Sequence, residues 1–170
     1  KENIMYYKVF LDTNIYDGAN YSFHNAMFST LRKMAESGDL QLKINSVVEG
    51  EVKKHISRDV KAAAKKLLES VKDRSLSSFH NIPSFQEHLI IPNPKAWVQN
   101  AEEEFQDFHD ACKCDRISIN GIDVEMIMED YFNQRWPFEA TKTDEFKDAF
   151  IVASIIQDII GTEDAPGIKE

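Results

Sequence analysis

The sequence predicts an α/β fold built on a parallel sheet. Three observations carry that prediction: two short apolar runs, YYKVFL and LQLKINS, a helical stretch between them, and an apolar helix near the end. Strand, helix and strand within about forty residues form a βαβ unit, whose strands run parallel with a right-handed crossover.

Tyr6–Leu11 is short, aromatic and β-branched, which marks a buried strand. It runs into Asp12, Thr13 and Asn14, with Gly18 just beyond. Taken alone this is a turn, because Asp and Asn hydrogen-bond their own backbone. A helix over residues 22–36 follows, with Phe23, Ala26, Met27, Leu31 and Met34 on one stripe and Gly38 as its stop. Leu40, Leu42 and Ile44 then alternate along the second strand. Ser46 and Glu49 have the spacing of a capping box, which opens the next helix and gives Glu49 a structural role. Apolar positions at Val52, Ile56, Val60, Ala64, Leu67 and Val71 carry that helix unusually far.

Residues 75–94 are rich in Ser, Asn and Pro and read as a loop, with at most a short strand at HLII. The next helix turns Trp97, Ala101, Phe105, Phe108 and Cys112 inward and Glu102–Glu104 outward. RISI is a weak strand, and the helix after it faces Val124, Ile127, Met128 and Tyr131 inward. The last helix, over residues 144–160, is apolar on nearly every side and is expected to be buried. The tail GTEDAPGIKE cannot supply a strand, so the expectation is one domain over 1–170, truncated at its C-terminus. Within it, residues 75–140 are an inserted loop and helices.

With 170 residues, 42% of them hydrophobic, the chain can bury a sizeable core. No apolar run is long enough to span a bilayer, and no membrane partner is expected. Cys112 and Cys114 have nothing to complete a zinc site and read as reduced thiols of a cytoplasmic protein. There is no Gly-rich run before a Lys, which excludes a P-loop, and no Asp-x-Asp after the first strand, which argues against a haloacid-dehalogenase-like phosphatase. The formal net charge of -9 is unevenly spread. Between Lys53 and Arg74, eight basic residues face three acidic ones, so a basic face can meet phosphates on an acidic protein. Taken alone, the same segment also suits a solvated helix face.

In open α/β sheets, ligand sites lie outside the carboxyl ends of the strands. Asp12 ends the first strand, and Glu51 opens the helix after the second. Asp148 shares a stripe with Val152, Ile155 and Ile159, a costly place for an unpaired carboxylate. Asp144 and Glu145 stand nearby, where a helix N-terminus alone favours acids. Carboxylates without His or thiol partners suit Mg²⁺ or Mn²⁺, which activate water and neutralise charge on a phosphoryl group. His55, one turn after Glu51, reads as a helix-surface residue, and Trp97, Phe105 and Phe108 as core.

The order VFLDTN, INSVVEGEV, EFKDAFIVASI resembles the PIN-domain nucleases, most closely a bacterial branch with a PFE…K…EFKDA segment, here Pro137–Ala149. The resemblance implies a Rossmann-like α/β/α sandwich and a Mg²⁺- or Mn²⁺-dependent phosphodiesterase, usually acting on RNA. It makes Asp12, Glu51 and Asp148 the catalytic, metal-holding acids, with Glu145 auxiliary on the metal and Asp144 beside it. It makes Thr13 or Asn14 the polar residue that steadies the first acid. Lys53, Lys54, Arg58 and Lys142 are the expected phosphate contacts. The family usually continues into a strand that ends in a further Asp or Asn, and nothing after Ile160 matches it. The expected function is a metal-dependent endoribonuclease acting on single-stranded RNA, as a toxin or defence effector. The alternative is a catalytically inactive module that binds RNA, a protein partner or a fused domain. A homodimer is compatible with either.

Overall fold

One βαβ unit sets the frame of the molecule, for which the computed structural model describes residues 7–73, 79, 82–84, 93–138 and 145–163. In chain order its elements are β1 (Tyr7–Phe10), α1 (Thr13–Gly18), α2 (Ala26–Ser37), β2 (Leu40–Asn45), α3 (Ser46–Lys72), α4 (Pro94–Ala111), β3 (Asp115–Ile117), α5 (Val124–Phe132) and α6 (Phe146–Glu163). The described strands form one parallel sheet in the order β1-β2-β3, with Val9 beside Leu42 and Lys43 beside Asp115.

Local sequence explains most of these boundaries. Asn25 caps α2 by accepting from the Phe28 amide at 2.9 Å, and Gly38 ends it at φ 82°, a left-handed conformation that glycine adopts without strain. The capping box at Ser46 does not form. Asn45 is the cap instead, accepting from the Val48 amide at 2.9 Å, while Glu49 pairs with Lys53 and Arg116. An amide that caps with its oxygen can still donate from its nitrogen, and Asn45 uses that second capacity on Ser154 at 2.8 Å.

The two faces of the sheet are covered differently. On one, Leu42 and Ile44 meet a core in which Tyr16, Phe23, Phe28, Phe105 and Phe108 pack ring against ring, joined by Val48, Val52 and Ile56 of α3. Phe105 and Phe108 of α4 and Cys112 just after it are buried in this core as expected, whereas Trp97, also expected inward, is only half-buried. His109, buried in this core, shares a hydrogen bond with the Tyr16 hydroxyl and contacts the Phe105 carbonyl, and burial lowers its pKa from the ordinary histidine range. On the other face, β2 presents Lys43 and Asn45 to α6.

That second face corrects the expectation of a buried final helix. α6 is bound to the sheet through polar pairs, Lys43–Asp158 at 2.9 Å and Asn45–Ser154, and its Ile156, Ile159 and Ile160 are exposed. A second, smaller cluster joins α5 and α6 through Ile127, Phe138 and Ala149, whereas Val124, expected inward, is exposed. α1, which reads as a turn in the sequence, is a helix of 6 residues, too short to display a helical period. The expected strand at HLII and most of the 75–94 loop lie outside the described residues, as do Lys142, Asp144 and the tail after Glu163. No described helix is long and apolar enough to cross a membrane.

Candidate active site

Asp12 stands where the chain leaves β1 and turns into α1, as the residue before the first helical position. Its carboxylate does not cap the helix; it accepts from the Asn14 side-chain amide at 2.8 Å and is otherwise exposed. Thr13, the next residue, is buried and points the other way, donating from its hydroxyl to Glu51 at 2.8 Å. Adjacent residues thus serve two acids: Asn14 holds the first and Thr13 the second. The sheet brings them together, because β1 and β2 are parallel neighbours and both exits lie at the same edge.

Asp148 sits in the first turn of α6, and its side chain is exposed rather than sunk in the apolar stripe that its spacing suggests. Of that stripe, Val152 and Ile155 are half-buried and Ile159 is exposed, so Asp148 stays at the rim. Partial burial, then the adjacent carboxylates of Glu145 and Asp12, raise its carboxyl above the ordinary aspartate range, with Lys147 opposing. Asp12 and Glu145 are therefore electrostatic neighbours of Asp148.

Glu51 joins them through a residue that sequence reasoning passed over. Lys147 hydrogen-bonds Glu51, while Thr13 holds the other carboxylate oxygen. Burial alone would lift the Glu51 carboxyl, yet Lys147 and Thr13 keep it below the ordinary glutamate range. Apolar periodicity gives no sign of this role, because Lys147 is exposed along its stem and reaches the acid only with its tip.

A polar zipper extends from the site. Thr13–Glu51, Asp17–His55 and Tyr21–Asp59 are all offset by 38 residues, and each step is four residues on both segments. One turn of α3 thus matches each four-residue step along α1 and the turn after it, which fixes the two side by side. Asp17 accepts from His55 Nδ1 at 2.8 Å, which makes His55 a part-buried tethered ring instead of the free surface residue expected. The i,i+4 spacing in both segments was the available signal.

Of the expected phosphate contacts, Lys53 is engaged by Glu49 at 2.6 Å and Arg58 by its neighbour Asp59 at 2.7 Å; Lys54 is exposed without an ion pair among the described residues. The two cysteines do not compete as nucleophiles. Burial pushes the Cys112 thiol up to about 11 and the Cys114 thiol up to about 12, so both stay protonated at neutral pH.

Among the described residues, no three acidic, His or Cys side chains form a ready-made metal cage. The donor chemistry still fits a hard divalent ion, since the group consists of carboxylate oxygens and its crowded members disfavour one another's charge. Glu51 is the exception, already neutralised by Lys147. The chain matches the model of a family described as PIN domain over residues 9–163, and it belongs to that family. No curated protein and no solved structure matches it.

Proposed function

We propose that this PIN-domain chain is a metal-dependent endoribonuclease that hydrolyses phosphodiester bonds in single-stranded RNA. The observation that carries the reading is the gathering of Asp12, Glu51, Glu145 and Asp148 at the mouth of a parallel sheet, with Asn14 and Thr13 holding the first two. Like charges gathered at a partly exposed rim cost stability, and a divalent cation is the partner that offsets the cost. Asp12, Asp148 and Glu145 would hold Mg²⁺ or Mn²⁺, and Glu51 would join once Lys147 lets go. Such an ion supplies water activation and neutralises charge that develops on the phosphoryl group.

The chain's own residues prepare that chemistry. Asn14 fixes Asp12 and Thr13 fixes Glu51, so both acids keep their orientation without a ligand. Lys147 carries a positive charge between Glu51 and Asp148, where it can move from carboxylate to phosphate when the substrate arrives. Lys54, with Lys53, Arg58 and Lys142, forms the proposed phosphate contacts. Water adds to phosphorus, the bond to the departing ribose oxygen breaks, and the products carry the proton and hydroxyl of that water. A cytoplasmic toxin or defence effector is the biological role this activity suits.

The Lys147–Glu51 pair also favours a second reading, an inert module that binds RNA or a protein without cutting it. Mn²⁺-dependent cleavage of labelled single-stranded RNA tests the choice. Wild type is expected to cut and Asp148→Asn to lose at least a hundredfold in rate, on the scale of a lost transition-state contact. Equal rates in the two proteins would end the nuclease reading, and binding without metal affinity in calorimetry would support the inert one.

A further inference from the structure

Much of the second half of α3 is exposed. From Lys61 to Ser70, Ala64 is the one buried residue, and the others are exposed. Leu67 and Leu68 are among them, so the helix here projects beyond the core that holds Val48, Val52 and Ile56. A projecting helix of ordinary composition would mix both charge signs around its surface for solubility. Here most of the cations share one side, with Glu69 at its edge and Lys66 off it.

At about 100° per residue, Lys54, Arg58, Lys61, Lys65 and Lys72 fall within an arc of about 60°. All five are exposed. Glu51 lies at the edge of the same arc, so the line starts at the candidate active site and runs about 27 Å outward, at about 1.5 Å per residue. Like charges three and four residues apart repel and weaken a helix, so the alignment is a cost to the free protein. Little relieves it. Lys54, Lys61 and Lys72 carry no ion pair among the described residues, and Lys65 meets Glu69 only at 3.9 Å. Arg58 alone is closely held, by Asp59 at 2.7 Å. On a protein whose formal net charge is -9, this is a concentrated exception.

We infer that this stripe is an RNA-guiding arm, a binding site separate from the carboxylate cluster that holds the substrate strand several nucleotides from the bond to be cut. It rests on the nuclease reading and narrows its substrate to a single strand long enough to reach past the active site. The straightness of the stripe selects the single strand. A flexible backbone can lie along a straight row of ammonium groups, whereas each backbone of a duplex winds away from it after a few phosphates. Lysine suits this task better than arginine would. Its compact charge follows phosphates without demanding the planar pairing that fixes one geometry. The arm therefore supplies affinity and direction without sequence preference.

The test is binding, so that it stands apart from cleavage. In the Asp148→Asn background with EDTA, fluorescently labelled single-stranded RNAs of about 4 and about 20 nucleotides, and an RNA duplex of about 20 base pairs, are titrated against the protein at several salt concentrations. The triple substitution Lys61→Gln, Lys65→Gln and Lys72→Gln keeps good helix formers and leaves the proposed contacts nearest the site untouched. The expected result is a loss of about tenfold or more for the long RNA, no change for the short one, and a salt slope shallower by about 2. Circular dichroism checks that the helix is kept. Unchanged long-RNA affinity and salt slope overturn the arm, as does an equal loss for both lengths. A loss confined to duplex RNA overturns the single-strand assignment. If wild type never cuts RNA but the triple variant loses long-strand binding as stated, the arm stands and the nuclease reading falls.

Discussion

The two faces of the central strand hold the molecule together by different physics. One face of β2 puts Leu42 and Ile44 into an aromatic core where Phe28 and Phe108 rings meet at 4.8 Å. The other puts Lys43, only 6% exposed, between Asp115 and Asp158, and Asn45 against Ser154. The aromatic face is non-directional, and its energy scales with apolar area removed from water. The polar face gains little net energy from each pair, because desolvation opposes attraction, but it accepts only one alignment of α6. That alignment matters most at the far end of the helix. Ser154 and Asp158 dock the middle of α6, and this sets Asp148 and Lys147 beside Asp12 and Glu51. The core face makes the protein fold; the polar face aims its acids.

The largest expected effect comes from the aromatic side. Phe108→Ala empties a site shared with Phe23, Phe28 and His109, and should destabilise by about 3–5 kcal/mol in urea titration. A loss below about 1 kcal/mol would mean that the core repacks freely and the contrast with the polar face is false. Next comes the buried pair. Asp158→Ala leaves Lys43 with Asp115 alone and should cost about 1–3 kcal/mol. The double substitution Lys43→Met with Asp158→Leu should recover most of that loss, because well-packed apolar residues can replace a buried ion pair. If cleavage falls in the double variant while stability returns, the polar face serves alignment. Unaltered cleavage would remove that role.

The smallest effect has the opposite sign. The Asp148 carboxyl is raised by partial burial and by Glu145 and Asp12, so ionising it costs folded-state stability as pH rises through its folded value. Below the ordinary aspartate value of about 4 both folded and unfolded forms are protonated and the penalty vanishes. Asp148→Asn should therefore raise the melting temperature at neutral pH in EDTA, by less than about 1 kcal/mol equivalent at this exposed position, and the gain should shrink toward pH 4. Thermal melts across that range measure it. A destabilised Asp148→Asn would show that the carboxylate is satisfied within the protein and needs no cation.

Much of the frame was readable from residue order. The apolar run before Asp12, the alternation of Leu40, Leu42 and Ile44, and Gly38 at a left-handed stop each encode local structure within a few neighbours. β1 is nonetheless exposed at Tyr7 and Lys8 instead of the buried strand expected, because it lies at the edge of the described sheet. Asp12 and Glu51 were readable as a pair because parallel strands must exit at one edge, whereas Asp148 was singled out by an apolar stripe in which it does not lie buried. Other features had no local signature. α1 is too short for periodicity, and β3, with 3 residues, depends on β2 for its existence as a strand. Asn45 displaced the Ser46 capping box because its amide could satisfy both a helix start and Ser154.

By itself, then, the sequence determined the periodicities, the turns and the acids at the strand exits, all of which follow from interactions among near neighbours. Tertiary structure alone decided what covers the polar face of β2. Alternation states that Lys43 and Asn45 point away from Leu42 and Ile44, but water and a polar helix satisfy that pattern equally well. The choice fell to Asp158 and Ser154, more than a hundred residues away. Tertiary structure likewise decided that Lys147 neutralises Glu51 while Asp148 stays at the rim. A one-residue step along a helix turns the side chain by about 100°, and only the docked position of that helix says which of two neighbours meets the partner.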